Sequence, residues 1–306
     1  MATSMNTPIL LIIFNRPKHT QALVDALRAV KPSRIYVAAD GPRPERESER
    51  AICDETRKVI DEIDWPCEVL KKYSDSNLGC AINVSSAISY AFQHEDQLII
   101  LEDDTIPCSD FFKFCEVNLE FHRMNQNISI ISGTNILRET DCGEHSYYFS
   151  EIMQCWGWAT WKDRWLDYDH SMKKWPQARN VKWLLETFKN PILAFFWRQQ
   201  FDGVYSNAID SWGYRWAFAN ARTRRLTINP SQNLIQNVGF GGDATHTTNQ
   251  QHPCANIPVA EFKFPLVHPE ILSVHREHEM KIYNKLHGQP SILYVLKSIV
   301  KKWIKR

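Results

Sequence analysis

The chain has 306 residues, 43% hydrophobic and 23% charged, and 36 basic against 35 acidic residues leave a net charge of +1. That is an ordinary globular composition, long enough for one large or two average domains, and it excludes a disordered, collagenous or coiled-coil protein. Near-neutrality leaves no chain-wide field to hold nucleic acid or another polyanion.

Eight cysteines are scattered without a C-x-x-C pair, which argues against a zinc ribbon or a redox motif and for buried thiols in a reducing, cytoplasmic setting. Residues 1–7 carry no basic side chain. The apolar run from Ile9 to Phe14 is too short for a signal-peptide core or a membrane span, so it reads as a buried strand.

In chain order, that first strand is followed by a helical pattern from about Pro17 (Leu23, Ala26, Leu27, Val30) and a second strand, Arg34 to Ala39. A charged helix is expected from about Glu45 to Ile63, a third strand over Cys67 to Lys71, a helix from Cys80 to Phe92, and a wholly apolar fourth strand, Gln97 to Leu101. Strands buried on both faces and alternating with helices predict an α/β fold with a central, mainly parallel sheet. In open sheets of this kind ligands bind beyond the carboxyl ends of the strands. Those ends carry Asn15-Arg16-Pro17, Asp40-Gly41-Pro42-Arg43, Ser74 to Gly79 and Glu102-Asp103-Asp104. Four polar ends on one edge predict a pocket.

The second half has a different texture. Nine of the eleven tryptophans fall between Trp156 and Trp216. They read as a second core of large side chains, with the glycines at 157 and 213 suggesting that some face a site.

Three successive carboxylates after an apolar strand repel one another unless a positive charge sits among them. Hard cations such as Mg²⁺ and Mn²⁺ take oxygen ligands from one or two carboxylates together with substrate phosphates. Glu102, Asp103 and Asp104 stand where a ligand is expected.

The segments Pro8-Ile-Leu-Leu-Ile-Ile-Phe-Asn-Arg-Pro17, Ala39-Asp-Gly41, Ser76-Asn-Leu-Gly79 and Ile99-Ile-Leu-Glu-Asp-Asp104 together resemble the nucleotide-diphosphosugar-binding half of GT-A glycosyltransferases. The chain is similar in particular to bacterial hemolysin-like, HlpA-type sugar transferases, and more remotely to inverting N-acetylglucosaminyltransferases that use E-D-D. The resemblance runs from about Pro8 to Thr247. It implies a Rossmann-like fold, a metal (Mn²⁺ or Mg²⁺) on Asp104, donor sugar or ribose beside Glu102 and Asp103, and the nucleotide base between Arg16 and Asp40. UDP- or dTDP-sugars are the favoured donors. A pyrimidine pairs an N–H donor with carbonyl acceptors, so Asp40 suits the first and Arg16 the second. Arg16 and Asp40 also read as ordinary turn residues. Asn77 is expected to cap the following helix, with its loop near the nucleotide.

Inversion at an anomeric carbon requires a base for the acceptor hydroxyl. Similar enzymes place an aspartate before an aromatic helix at this stage of the chain, and Asp210 fits, although it also reads as the cap of the helix starting at Ser211. Asp202 and Asp163 are weaker candidates. Several GT-A families close a late loop over the donor with a histidine, which implies His246 as a second metal or pyrophosphate ligand behind the glycine run 239–242. Trp158 is a candidate wall under the donor sugar or acceptor, with packing at least as good a reading.

At the C-terminus Ile292, Leu296, Ile299 and Trp303 recur at helical spacing among Lys297, Lys301, Lys302 and Lys305. This is a basic amphipathic pattern that suits peripheral contact with an anionic membrane. The expected organisation is a GT-A domain over 1–248, with a nucleotide half (1–104) and an acceptor half (105–248), then an extension over 249–306. The expected activity is metal-dependent transfer of a sugar to a glycan or lipid-linked acceptor, in surface polysaccharide or glycoconjugate synthesis. The alternatives are a sugar-nucleotide nucleotidyltransferase and a non-catalytic glycan-binding protein.

Overall fold

The structure, a computed structural model, describes residues 5–46, 48–240 and 252–288. The first half runs β1 (Ile9–Ile13), α1 (Pro17–Arg28), β2 (Arg34–Ala39), α2 (Glu49–Val59), β3 (Glu68–Tyr73), α3 (Cys80–Ala91) and β4 (Gln97–Glu102). There follow β5 (Thr105–Pro107), α4 (Ser109–Phe121), β6 (Ile128–Ser132), β7 (Tyr147–Ser150), β8 (Trp158–Trp161), α5 (Lys162–Trp165), α6 (Trp175–Ala178) and α7 (Val181–Phe188). The chain continues with α8 (Pro191–Tyr205), α9 (Trp212–Thr223), β9 (Leu226–Pro230), β10 (Ile235–Asn237) and α10 (Arg276–His287).

Eight strands form one mixed sheet in the order β3-β2-β1-β4-β8-β6-β9-β7, and β5 and β10 make a separate antiparallel ribbon. Strands β3, β2, β1 and β4 are parallel neighbours. Strand β8 runs antiparallel between β4 and β6, β9 is again parallel to β6, and β7 closes the edge antiparallel to β9. The fold is therefore α/β with a mainly parallel sheet, as the alternation of apolar runs predicts. Strand β3 starts one residue later and ends two later than the sequence suggests. It is the edge strand, and its half-exposed residues blur the apolar signal that marks buried strands.

Alternation along the strands divides the interior into two layers. Ile9, Leu11 and Ile13 of β1 pack with Leu23, Val24 and Leu27 of α1 on one face. Leu10 and Ile12 pack on the other with Ile88 of α3 and with Trp158, Trp212 and Trp216. A third cluster, around Trp175, Trp197, Phe201 and Phe218, binds α6 to α9 together. Most of the tryptophan concentration is thus core, each such ring removing a large apolar area from water.

The sheet crosses the expected boundary at residue 104 without a break, because β4 pairs directly with β8. Residues after 252 return to the same body. Phe262 and Leu266 enter the main core, Val274 bridges to Phe149, and Glu279 of α10 accepts hydrogen bonds from Ser150 Oγ and the Glu151 N–H. The basic amphipathic pattern over 291–306 lies outside the described residues. No described helix is long and apolar enough to cross a membrane.

Candidate active site

A cleft of about 450 Å³ lies beyond the carboxyl ends of β1, β2 and β4. Arg16, Asp40, Asn77, Glu102, Asp103, Asp104 and Asp210 all line it. These side chains come from segments up to 194 positions apart, and parallel pairing brings the first four segments to one edge of the sheet.

The acids after β4 sit on a tight turn that Thr105 closes, its Oγ1 accepting from the Glu102 N–H (3.0 Å) and donating to the Glu102 carbonyl (2.8 Å). Arg16 faces them from the start of α1. Its Nη1 donates to Asp103 Oδ1 at 3.0 Å and to Asp104 Oδ2 at 2.9 Å, and Asp103 also accepts from the Phe14 N–H. Burial works against the Arg16 charge, but the charges and hydrogen bonds of Asp103 and Asp104 outweigh it and raise its pKa. Burial, with the charges of Asp104 and Asp103, pushes Glu102 up to about 8, against Arg16 and a hydrogen bond from the Trp212 side chain. Burial likewise lifts Asp103 to about 6, with Arg16 opposing. One arginine therefore does not neutralise three acids, and Glu102 retains its proton at neutral pH.

Asp40 and Asn77 form a clamp between two loops. Asp40 accepts from the N–H groups of Gly41, Leu78 and Gly79, and Asn77 Nδ2 donates to the Gly41 carbonyl at 2.9 Å. A Cβ at Gly41 would lie 2.5 Å from Ser76 backbone atoms, so the close approach requires glycine. Burial raises the Asp40 pKa, opposed by these backbone donors. Both residues line the cleft, yet each already serves as a strut. Asn77 does not cap α3, contrary to expectation, because the cap position is Gly79 and no local side chain bonds the helix start.

That helix start is held from the far side of the cleft. Asp210 accepts from Cys80 N–H (2.9 Å) and Ala81 N–H (3.1 Å), a carboxylate at a helix N-terminus, where it is electrostatically favoured. Asp210 does not cap α9, as its sequence position suggests. Ser211 does, accepting from the Tyr214 N–H.

The ribbon of β5 and β10 lays the chain after 237 across the acids. Val238 N–H donates to the Asp104 carbonyl, and a Cβ at Gly239 would lie 2.1 Å from Asp104 Oδ2. The first glycine of the late run is thus required by packing on Asp104. Among the described residues, no three His, Cys, Asp or Glu side chains form a group able to hold a metal. The cluster fits a cation shared between Asp104, the more exposed of the Arg16 partners, and phosphate oxygens of a ligand. It does not fit an all-protein cage.

Trp158 does not reach the cleft. It is fully buried and stacks on Trp212 at 5.3 Å, because its strand lies in the middle of the sheet with both faces covered. Trp212 and Trp156 line the cleft instead. Asp202 is paired with Arg179 and Asp163 with Arg164, and neither lines the cleft. His246 lies outside the described residues. Sequence reasoning passed over Arg43, which lines the cleft, holds Glu49 and lies over the Phe14 ring. Its place directly after Asp40-Gly41-Pro42 was the available signal.

No protein-family model matches the chain, and no curated protein matches it. Among solved structures it is similar to HddC from Yersinia pseudotuberculosis complexed with GMP-PN, at 15% identity and TM-score 0.33, over 53% of this chain and 80% of that one. It is also similar to UDP-glucose pyrophosphorylase complexed with UDP-glucose, at 9% identity and TM-score 0.37, over 75% of this chain and 93% of that one. Similarities of this size leave the reading of the site to its own geometry.

Proposed function

We propose that the chain transfers a sugar from a nucleotide diphosphosugar to a hydroxyl of a glycan or lipid-linked acceptor, with Mn²⁺ or Mg²⁺ at Asp104. The observation that carries this reading is the single cleft gathering Arg16, Asp40, the three acids after β4 and Asp210. When bound, the cation supplies Lewis-acid stabilisation of the charge developing on the departing diphosphate. Arg16 supplies a second, fixed positive charge beside it. Glu102 and Asp103 present their carboxyl groups to hydroxyls of the donor. Asp210 takes the proton of the attacking acceptor hydroxyl, its carboxylate oriented by the start of α3. One base and no protonated leaving-group acid suits inversion.

Calorimetric titration with UDP, dTDP, GDP and CDP, each with and without Mn²⁺, tests the donor site. Metal-dependent binding of one nucleotide that Asp104→Ala abolishes is expected, and a well-folded protein that binds none of them would refute the reading. A second test separates the two roles of Asp210. Asp210→Asn keeps a capping oxygen, so stability falls by less than the roughly 1 kcal/mol typical of a lost cap. Turnover falls by about 10²–10⁴ because the base is gone. Retained turnover in Asp210→Asn would leave Asp210 only its capping role.

The second reading is a sugar-nucleotide nucleotidyltransferase, the class to which a pyrophosphorylase such as the one compared above belongs. Such an enzyme would bind a nucleoside triphosphate. The described cleft offers that ligand five acidic side chains, four of them aspartates, against Arg16 and Arg43, which favours the less charged diphosphosugar. Release of pyrophosphate from a nucleoside triphosphate and a sugar 1-phosphate would reverse the preference.

A further inference from the structure

A second cavity, of about 520 Å³, adjoins the first. Cys155, Trp156, Ser211 and Gly213 line both, so the two form one continuous depression. A Cβ at Gly213 would meet nothing closer than Met153 Cε at 3.5 Å, and the glycine leaves the join open.

The two halves of this depression differ in chemistry. The first is lined by Asp40, Glu102, Asp103, Asp104 and Asp210 with two arginines. The second has no Lys, Arg, Asp or Glu among its described lining residues. Phe196, Trp197, Tyr214 and Tyr283 supply rings, and Leu193 and Ile282 are among the aliphatic residues between them. Burial, first among the causes, pushes the pKa of His287 down, so this wall is uncharged at neutral pH. Two of its polar side chains are already paired. The Gln154 amide accepts from Ile136 N–H and donates to Asn229, and Ser211 Oγ accepts from Tyr214 N–H. An extended oligosaccharide needs many partners for its hydroxyls, because an unpaired polar group in such a pocket costs free energy. An apolar body needs none and gains from the area it removes from water. The indole N–H of Trp197 has no hydrogen-bond partner but is itself buried, and the Gln200 amide and the Tyr214 and Tyr283 hydroxyls are among the few polar groups left on the lining for a ligand oxygen. The volume lies within the range of small-molecule sites.

We infer that this second cavity is the acceptor subsite and that it takes an acceptor whose nucleophilic hydroxyl is joined to an uncharged hydrocarbon body, not an extended polysaccharide. The inference rests on the sugar-transfer reading and narrows its acceptor.

The test is binding of n-octyl β-glucoside (below its micelle-forming concentration), phenyl β-glucoside and cellotetraose to the full chain without nucleotide, followed by tryptophan fluorescence. At least one of the first two is expected to bind about ten-fold or more tightly than cellotetraose, their ratio separating an alkyl from an aryl body. Phe196→Ala, and independently Gln200→Trp, which fills the rim, should each remove that preference. Equal or tighter binding of cellotetraose, or no binding of either glucoside, overturns the inference. So does a concentration-dependent dimer disrupted by Phe196→Ala, which would assign the cavity to a second copy of the chain. The nucleotide titration keeps the two readings apart. Nucleotide binding without glucoside binding refutes this inference alone. Glucoside binding without nucleotide binding refutes the sugar-transfer reading and removes the acceptor assignment with it.

Discussion

Two glycines show how a site constrains residues that perform no chemistry. Gly239 packs so closely on Asp104 that any side chain there must displace the carboxylate or the turn that carries it. Gly239→Ala is therefore expected to weaken Mn²⁺-dependent nucleotide binding by about ten-fold, some 1.4 kcal/mol. Calorimetry would check this, and unchanged affinity would separate the turn from the donor site. Gly41 serves in the same way where two loops meet. Residue types in the two loops were legible in the sequence as polar strand ends. Their partners were not, because Asp40 reaches Leu78 and Gly79 across 38 and 39 positions.

Helix ends carry the same lesson at the scale of elements. Sequence proximity suggests that Asn77 caps α3 and that Asp210 caps α9, but α3 is capped by Asp210, 130 positions away. Local capping patterns describe only the partners nearest in the chain, and a carboxylate delivered by tertiary packing can replace them. Helix α10 offers a second, testable case. Its Glu279 is 1% exposed, and burial pushes it up to about 7, the Glu151 N–H and Arg276 opposing. That value lies above the unfolded one of about 4.3, so between the two the folded state holds a proton that the unfolded state has lost. The stabilisation is complete below about pH 4.3 and is lost as pH rises through about 7. Glu102 and Asp103 are raised too and slope the same way. Histidines whose pKa burial lowers, His122 and His287 among them, slope the other way, so the test is the difference from a variant. Relative to Glu279→Gln, whose amide keeps an accepting oxygen and cannot ionise, the wild-type melting temperature should lose ground between pH 5 and pH 8. Identical slopes in the two proteins would show that Glu279 is not the group titrating.

For the whole molecule, one sheet spans residues that the sequence divides into a nucleotide half and an acceptor half, and β4 and β8 pair across that division. A single cooperative unfolding transition is expected, with far-ultraviolet circular dichroism and tryptophan fluorescence coinciding in denaturant. Two separated transitions would show that the halves unfold as separate units. The sequence by itself determined the α/β class, the mainly parallel order of the first strands, and the polar ends that line the cleft. Those features follow from apolar runs, turn residues and the position of acids after a buried strand, all of them short-range properties of the chain. It also placed Asp210 among the candidates, by likeness to other enzymes and not by geometry. Only the tertiary structure decided which acids converge, that Trp158 is core while Trp156 and Trp212 face the cleft, and that Arg16 spans Asp103 and Asp104. Each of these depends on contacts between segments far apart in sequence. A side chain's role there is set by what packing places opposite it, and neither residue type nor local spacing specifies that partner.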